Sequence, residues 1–244
     1  MSLNKSIYTR EEIALAQKSP SFEREYNLKY LGKVGNVFHT LDIEAAIATE
    51  QQGQEMLDWS TSTMIGRSMG IDVAWGDTSK FAIAITQKRN NKVEVFYAES
   101  FEKPLMNNII NHIMQLKQTH HITKVFVDGA NPEVTRELKI RIDDVAPFFE
   151  QIDEQDLWNM RTGNMQIIPV NFQKRHKEML RWTHTLMSKR LIKIHPSLQK
   201  LIVSLRTAVV IDDWKLDKQQ TSHDDILDSF RLALCNYELP RNNP

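Results

Sequence analysis

The 244-residue sequence is poor in several things. Cysteine occurs once, as Cys235, which excludes an internal disulfide framework and a zinc site built from several thiolates. Glycine occurs eight times and never twice in succession, and there is no G-x-x-x-x-G-K-[ST] phosphate loop. No apolar run approaches the roughly 20 residues of a membrane span, and the N-terminus is too polar for a secretory signal. Net charge is also missing, since 31 Lys and Arg balance 31 Asp and Glu, so any nucleic-acid surface must be local. What is there is an ordinary globular composition, 41% hydrophobic and 25% charged, long enough for one large domain or a domain with a smaller one.

The pattern divides near residue 65. Residues 1–65 read as a helical arm or linker. Two short helices are expected over 8–31, the first capped by Thr9 with Glu12 in the capping-box position, and a further helix over 41–52. Residues 66–244 read as an α/β domain. GIDVAWGDTSKFAIAITQ is two strands around a turn, and FAIAI, apolar at every position, suits a strand buried on both faces. KVEVFYAES alternates as a third strand, LMNNIINHIMQL carries a helical stripe, and KVFVDGAN is a short strand ending at Asp128. Asn131-Pro132 starts a helix, with proline at its first position. Residues 142–160 hold six acids and no Lys or Arg, and are expected to be a loop. QIIPVNF, a basic helix from Lys174 to about Arg190, LIKIH, a helix from Pro196, an extended stretch near 207–217 and a last helix follow. Three hairpin-linked antiparallel strands followed by parallel crossovers form a mixed sheet flanked by helices.

The last helix, SHDDILDSFRLAL (222–234), concentrates acid. Ser222 is a good N-cap residue. At about 100° per residue Asp224, Asp225 and Asp228 share a face opposite Ile226, Phe230 and Ala233. First-turn acids complement a helix dipole, which is the plain reading. Like charges four apart repel, however, and a cation between them would relieve it. Asp72 in the first strand and Asp128 at the end of the fourth can converge with this turn, because strand carboxyl ends line the crevice of an open α/β sheet. Each can equally be a turn or cap aspartate. Asp77 reads as a turn residue, or a ligand to a second ion. Oxygen-only donors suit magnesium or manganese, and two such ions can serve phosphodiester hydrolysis.

IDVAWGDTSKFAIAI, then KVFVDGAN, then the His223–Ser229 pattern resembles the nuclease domain of the viral large terminase subunit. FEREY and GNVF look like that family's linker to its ATPase, and SKR before LIKIHP like the segment preceding its closing motif. The resemblance spans roughly residues 20–237. It implies a ribonuclease H-like fold and a metal-dependent endonuclease that cuts concatemeric viral DNA during packaging. Carried over by motif, Asp72, Asp128 and Asp225 are the catalytic metal-binding triad for two Mg2+ or Mn2+ ions, with Asp224 and Asp228 in support. Double-stranded DNA, a terminase ATPase domain, the small terminase subunit and the portal are the implied partners, in the cytoplasm of an infected host or of a prophage carrier. Lacking the phosphate loop, the chain by itself is expected not to translocate DNA.

Between residues 173 and 206 Glu178 is the only acid among nine Lys and Arg. Lys174, Arg175, Lys177, Arg181, Lys189, Arg190 and Lys193 are the candidate phosphate contacts. A solvated basic helix face is the alternative, with Trp182 and Leu186 assigned to core. Rival functions are another ribonuclease H-like nuclease of resolvase or integrase type, a catalytically inactive DNA-binding domain, and a sugar-kinase or actin-like ATPase. The last lacks its second phosphate loop and its glycine-rich adenosine motif here.

Overall fold

The computed structural model describes residues 35–62, 66–73, 80–102, 104–130, 132–145, 165–211 and 213–237. By internal contacts the chain divides into Met1–Asn36 and Val37–Pro244. The helices expected over 8–31 lie outside the described residues.

β1 (Arg67–Val73), β2 (Lys80–Arg89) and β3 (Lys92–Glu102) form an antiparallel meander. Its second turn is Asn90-Asn91, both left-handed at φ 50° and 59°, a conformation that asparagine tolerates and two-residue hairpins require. β4 (Ile122–Asp128) runs parallel to β1, β5 (Gln166–Val170) parallel to β4, and β6 (Ile192–Ile194) parallel to β3. The sheet order is β5-β4-β1-β2-β3-β6. This is the mixed sheet that the sequence pattern predicts.

Helices cover both faces. α1 (Thr40–Ala46), α5 (Phe172–Ser188), α6 (Gln199–Thr207) and α7 (Asp224–Ala233) share a core with Ala82, Ala84, Val93 and Val95. α2 (Glu50–Ser60), α3 (Met106–His120) and α4 (Pro132–Val145) share the other with Phe81, Ile83, Ile85 and Phe96. The alternation along β2 and β3 is the two-residue period of a strand buried on both sides. Residues 37–60, expected within the arm, contribute Val37, Phe38, Ile43 and Met56 to these cores.

Three boundaries differ from expectation for local reasons. The helix expected over 41–52 is two helices. Ile47 is extended and ends α1, Ala48 N–H bonds the Ile194 carbonyl, and Thr49 with Gln52 then forms a capping box that starts α2. α4 continues through Val145 into the acidic stretch expected to be loop, and the remainder of that stretch lies outside the described residues. The helix expected from Pro196 begins at Gln199, after a turn in which Leu198 N–H bonds the His195 carbonyl.

Gly70 sets the distance between the sheet and α7. A Cβ there would lie 2.0 Å from the Ser229 carbonyl oxygen and 2.3 Å from the Ala233 nitrogen. Its cross-strand partner is Ala84, and Ala82 lies opposite Asp72, so small residues make a floor on which α7 rests directly. Ser68, on the same face, donates to the Ala233 carbonyl and fixes the far end of the helix.

Candidate metal centre and basic face

Strand periodicity places the first two acids. Asp72 lies two residues past Gly70 and so shares the face beneath α7. Asp128 lies two residues past Phe126, which packs with Leu232 of α7 and with Phe172. β1 and β4 are parallel neighbours paired through Ile71 and Val127, so Asp72 and Asp128 are the next residues side by side, about 4.8 Å apart along the sheet. Asp128 Oδ1 accepts from the Ala130 N–H at 3.1 Å, which fixes its turn.

α7 adds three more carboxylates, but not on an open face as its helical wheel suggests. Every residue from Asp225 to Ala233 is buried, because sheet, α5 and α6 surround the helix. The expected Ser222 cap is also replaced. His223, left-handed at φ 52°, is the N-cap residue, and its carbonyl accepts from Ile226 and Leu227 N–H. Asp228 is fully enclosed and saturated, paired with Arg231 and with Lys218 Nζ at 3.1 Å. Lys218 also reaches Asp224 at 3.4 Å. Asp225 is different. It is 6% exposed, and neither carboxylate oxygen has a hydrogen-bond partner.

Electrostatics tie these groups together. Desolvation raises the Asp72 carboxyl well above the usual carboxylate range, and the charges of Asp228 and Asp128 push the same way against Lys218 and Arg231. Desolvation raises Asp128 as well, opposed by its Ala130 hydrogen bond and reinforced by Asp228. Asp225 is raised by desolvation, with Lys80 the strongest opposing charge. Asp228 is thus the acid that couples the strand aspartates to α7, while Asp225 keeps free oxygens. Crowded, desolvated carboxylates such as Asp72 and Asp128 are relieved by a cation, and an oxygen-only donor set fits a hard one. Among the described residues, Asp72, Asp128 and Asp225 included, no three His, Cys, Asp or Glu side chains are grouped so as to hold a metal ion. Asp77 lies outside the described residues.

Behind Asp228, Arg231 is 1% exposed, stands over the Phe172 ring at 4.9 Å and donates to the His176 carbonyl at 3.3 Å. His176 Nε2 in turn accepts from the Leu216 N–H. Desolvation, then the Arg231 charge, pushes the His176 imidazole down to about 4, so it is neutral at physiological pH. This chain of contacts joins α5, α7 and the segment before Lys218. Sequence reading passes over Lys218, Arg231 and His176. Only Arg231, one helical turn from Asp228, has a local signal for its role.

Lys174, Lys177 and Arg181 line an open cleft of about 470 Å³ on α5 with Glu178, Trp182 and Thr185. Trp182, assigned to core from its spacing, packs against the core with one part exposed at this cleft, and Leu186 is buried. Arg175 is held by Glu178 at 2.8 Å. Lys189 and Arg190 are exposed at the far end of α5. Lys193 is turned to the Ala45 carbonyl at 2.9 Å, where it ties β6 to α1.

No family model and no curated protein matches the chain. Solved structures do. The large terminase nuclease from thermophilic phage G20c superposes with a TM-score of 0.54 at 13% identity, covering 84% of this chain and 100% of that one. The same nuclease with bound magnesium gives 0.50 at 12% identity, covering 84% and 98%. The large terminase of a second thermophilic bacteriophage gives 0.54 at 11% identity over 93% of this chain, which spans 52% of that longer protein. At such identity the likeness concerns backbone architecture, and the chain has the fold of a phage large terminase nuclease.

Proposed function

We propose that this chain is a metal-dependent DNA endonuclease that cuts concatemeric viral DNA during genome packaging. The observation that supports the reading is the pairing of Asp72 and Asp128 at the ends of neighbouring strands, both under the charge of Asp228 from α7, with Asp225 one turn earlier on that helix holding a buried carboxylate without hydrogen-bond partners. Asp72, Asp128 and Asp225 would hold two divalent ions, Mg2+ or Mn2+, with Asp77 a further ligand. Asp224 and Asp228 act in support, since their oxygens already engage Lys218 and Arg231. Bound ions of this kind polarise a phosphodiester and lower the pKa of water. Magnesium in the G20c nuclease supports that choice.

The chain's own contribution is to hold the carboxylates. Gly70 lets α7 lie against β1, Arg231 and Lys218 fix Asp228, and Ala130 orients Asp128. Lys174, Arg175, Lys177, Arg181, Lys189 and Arg190 would meet phosphates of double-stranded DNA, with Lys193 in a supporting place at the sheet edge. An ATPase domain, a small terminase subunit and a portal are the partners this reading requires, in the cytoplasm of the infected host cell.

The test is supercoiled plasmid incubated with manganese, magnesium, calcium or EDTA beside Asp72→Asn. Cleavage that needs manganese or magnesium and disappears in the variant is expected. Folded protein that binds plasmid and cuts under none of these conditions would leave an inactive DNA-binding domain.

A further inference from the structure

On the cleft side of α5, Lys177 and Arg181 lie one helical turn apart and converge on a single carboxylate. Asp213 Oδ2 takes Lys177 Nζ at 2.5 Å and Oδ1 takes Arg181 Nη2 at 3.2 Å. Asp213 comes from a distant loop and is left-handed at φ 42°, as is Trp214 at φ 63°. Two consecutive non-glycine residues in that region carry a backbone cost, so the tight turn is held by what its side chains touch. Trp214 supplies part of this. Arg181 stands over its ring at 5.7 Å, and His184 meets it edge-on at 5.2 Å. The loop therefore places one anionic group against two of the cations that line the open cleft on α5.

The geometry points to Asp213 as a built-in stand-in for a backbone phosphate, holding Lys177 and Arg181 in position and yielding them to double-stranded DNA. This deepens the endonuclease reading and rests on it. A carboxylate accepting from both a lysine and an arginine presents two oxygens to them, as a phosphodiester does. All three side chains are exposed, at 49%, 52% and 66%, so the pairs are open to solvent and competition. Exposed pairs of this kind are weak, whereas a polyanion gains from counterion release and can displace the carboxylate. Lys177, whose hydrogen bond acts most strongly on it, and Arg181 hold the Asp213 carboxyl below the usual range, as expected of an ion pair. Asp213 then costs affinity and sets a threshold that a short or poorly placed duplex does not cross.

Fluorescence anisotropy of a labelled 30-base-pair duplex, titrated in EDTA across a salt series, tests this without cleavage. Asp213→Asn removes the charge and suits the left-handed backbone. The variant should bind about 3- to 10-fold more tightly at low salt, with a steeper salt slope, because the wild-type pairs weaken as salt rises and offset part of the loss. Glu50→Gln, an exposed acid elsewhere, should leave binding within about twofold. In a Lys177→Met/Arg181→Met background, Asp213→Asn should gain nothing, since its partners are gone. Equal binding by wild type and Asp213→Asn, or an equal gain from Glu50→Gln, would overturn the stand-in while leaving DNA binding intact. Failure of every protein, wild type included, to bind duplex would take down the DNA reading and the stand-in with it.

Discussion

Arg231 lies one helical turn beyond Asp228, and its guanidinium closes on that carboxylate inside the protein, with both side chains at most 1% exposed. Removing Arg231 leaves the enclosed Asp228 with the largely exposed Lys218 alone. Arg231→Met should therefore cost about 3–5 kcal/mol, read as a fall in urea midpoint. Asp228→Asn/Arg231→Met should cost less than the sum of the single changes, because the double variant strands no charge. Strict additivity would show that Arg231 does not hold Asp228.

Gly70→Ala brings a methyl group to 2.0 Å from one backbone atom of α7 and 2.3 Å from another. Backbone cannot rotate aside, so the helix must lift. Overpacking usually costs about 1–3 kcal/mol, and this contact belongs at or above the upper end. Asp225 and Asp228 would move with the helix, so metal-dependent stabilisation should fall along with the melting temperature. A variant with unchanged stability would mean that α7 stands farther from β1.

Much of this arrangement is legible in the residues. FAIAI announces a doubly buried strand, and the two-residue period carries Asp72 and Asp128 to the same side of the sheet. The carboxylate stripe on the last helix is legible too, but its surroundings are not. A helical wheel gives Asp224, Asp225 and Asp228 one face and says nothing of what covers it. Here Arg231 and Lys218 close on Asp228, while Ser229, Leu232 and Ala233 of the same helix rest at Gly70, whose smallness matters only once the helix is laid on the sheet. Lys218, His176 and Asp213 escape for a related reason. Lys218 meets Asp228 across 10 residues of sequence, Asp213 meets Arg181 across 32 and His176 meets Arg231 across 55, and no local spacing marks such contacts.

Asp225 makes opposite predictions for the free and metal-loaded protein. Its two unpartnered oxygens are a liability without a cation. Asp225→Asn removes the buried charge, so the metal-free melting temperature should hold or rise. Manganese should stabilise wild type by mass action and the variant far less. Equal manganese stabilisation of both would remove Asp225 from the ligand set and leave the strand aspartates to bind metal with Asp224 or Asp228.

His176 gives the protein an acid limit. Its imidazole is depressed to about 4 in the fold, against an ordinary value near 6.5 in the unfolded chain. Below about 6.5 the unfolded chain takes up a proton that the folded protein refuses. The stability contributed by neutral His176 is therefore complete above that pH and drains away as pH falls towards 4. His176→Gln cannot titrate, yet can still accept the Leu216 N–H that Nε2 accepts now. Its stability should be lower near about pH 7.5, where the imidazole packs best, and should decline less steeply between about pH 6.5 and 4.5. Urea midpoints measured at half-unit pH steps check the slope. Parallel curves for the two proteins would mean that His176 titrates normally in the fold, and that Arg231 does not press its charge against the ring.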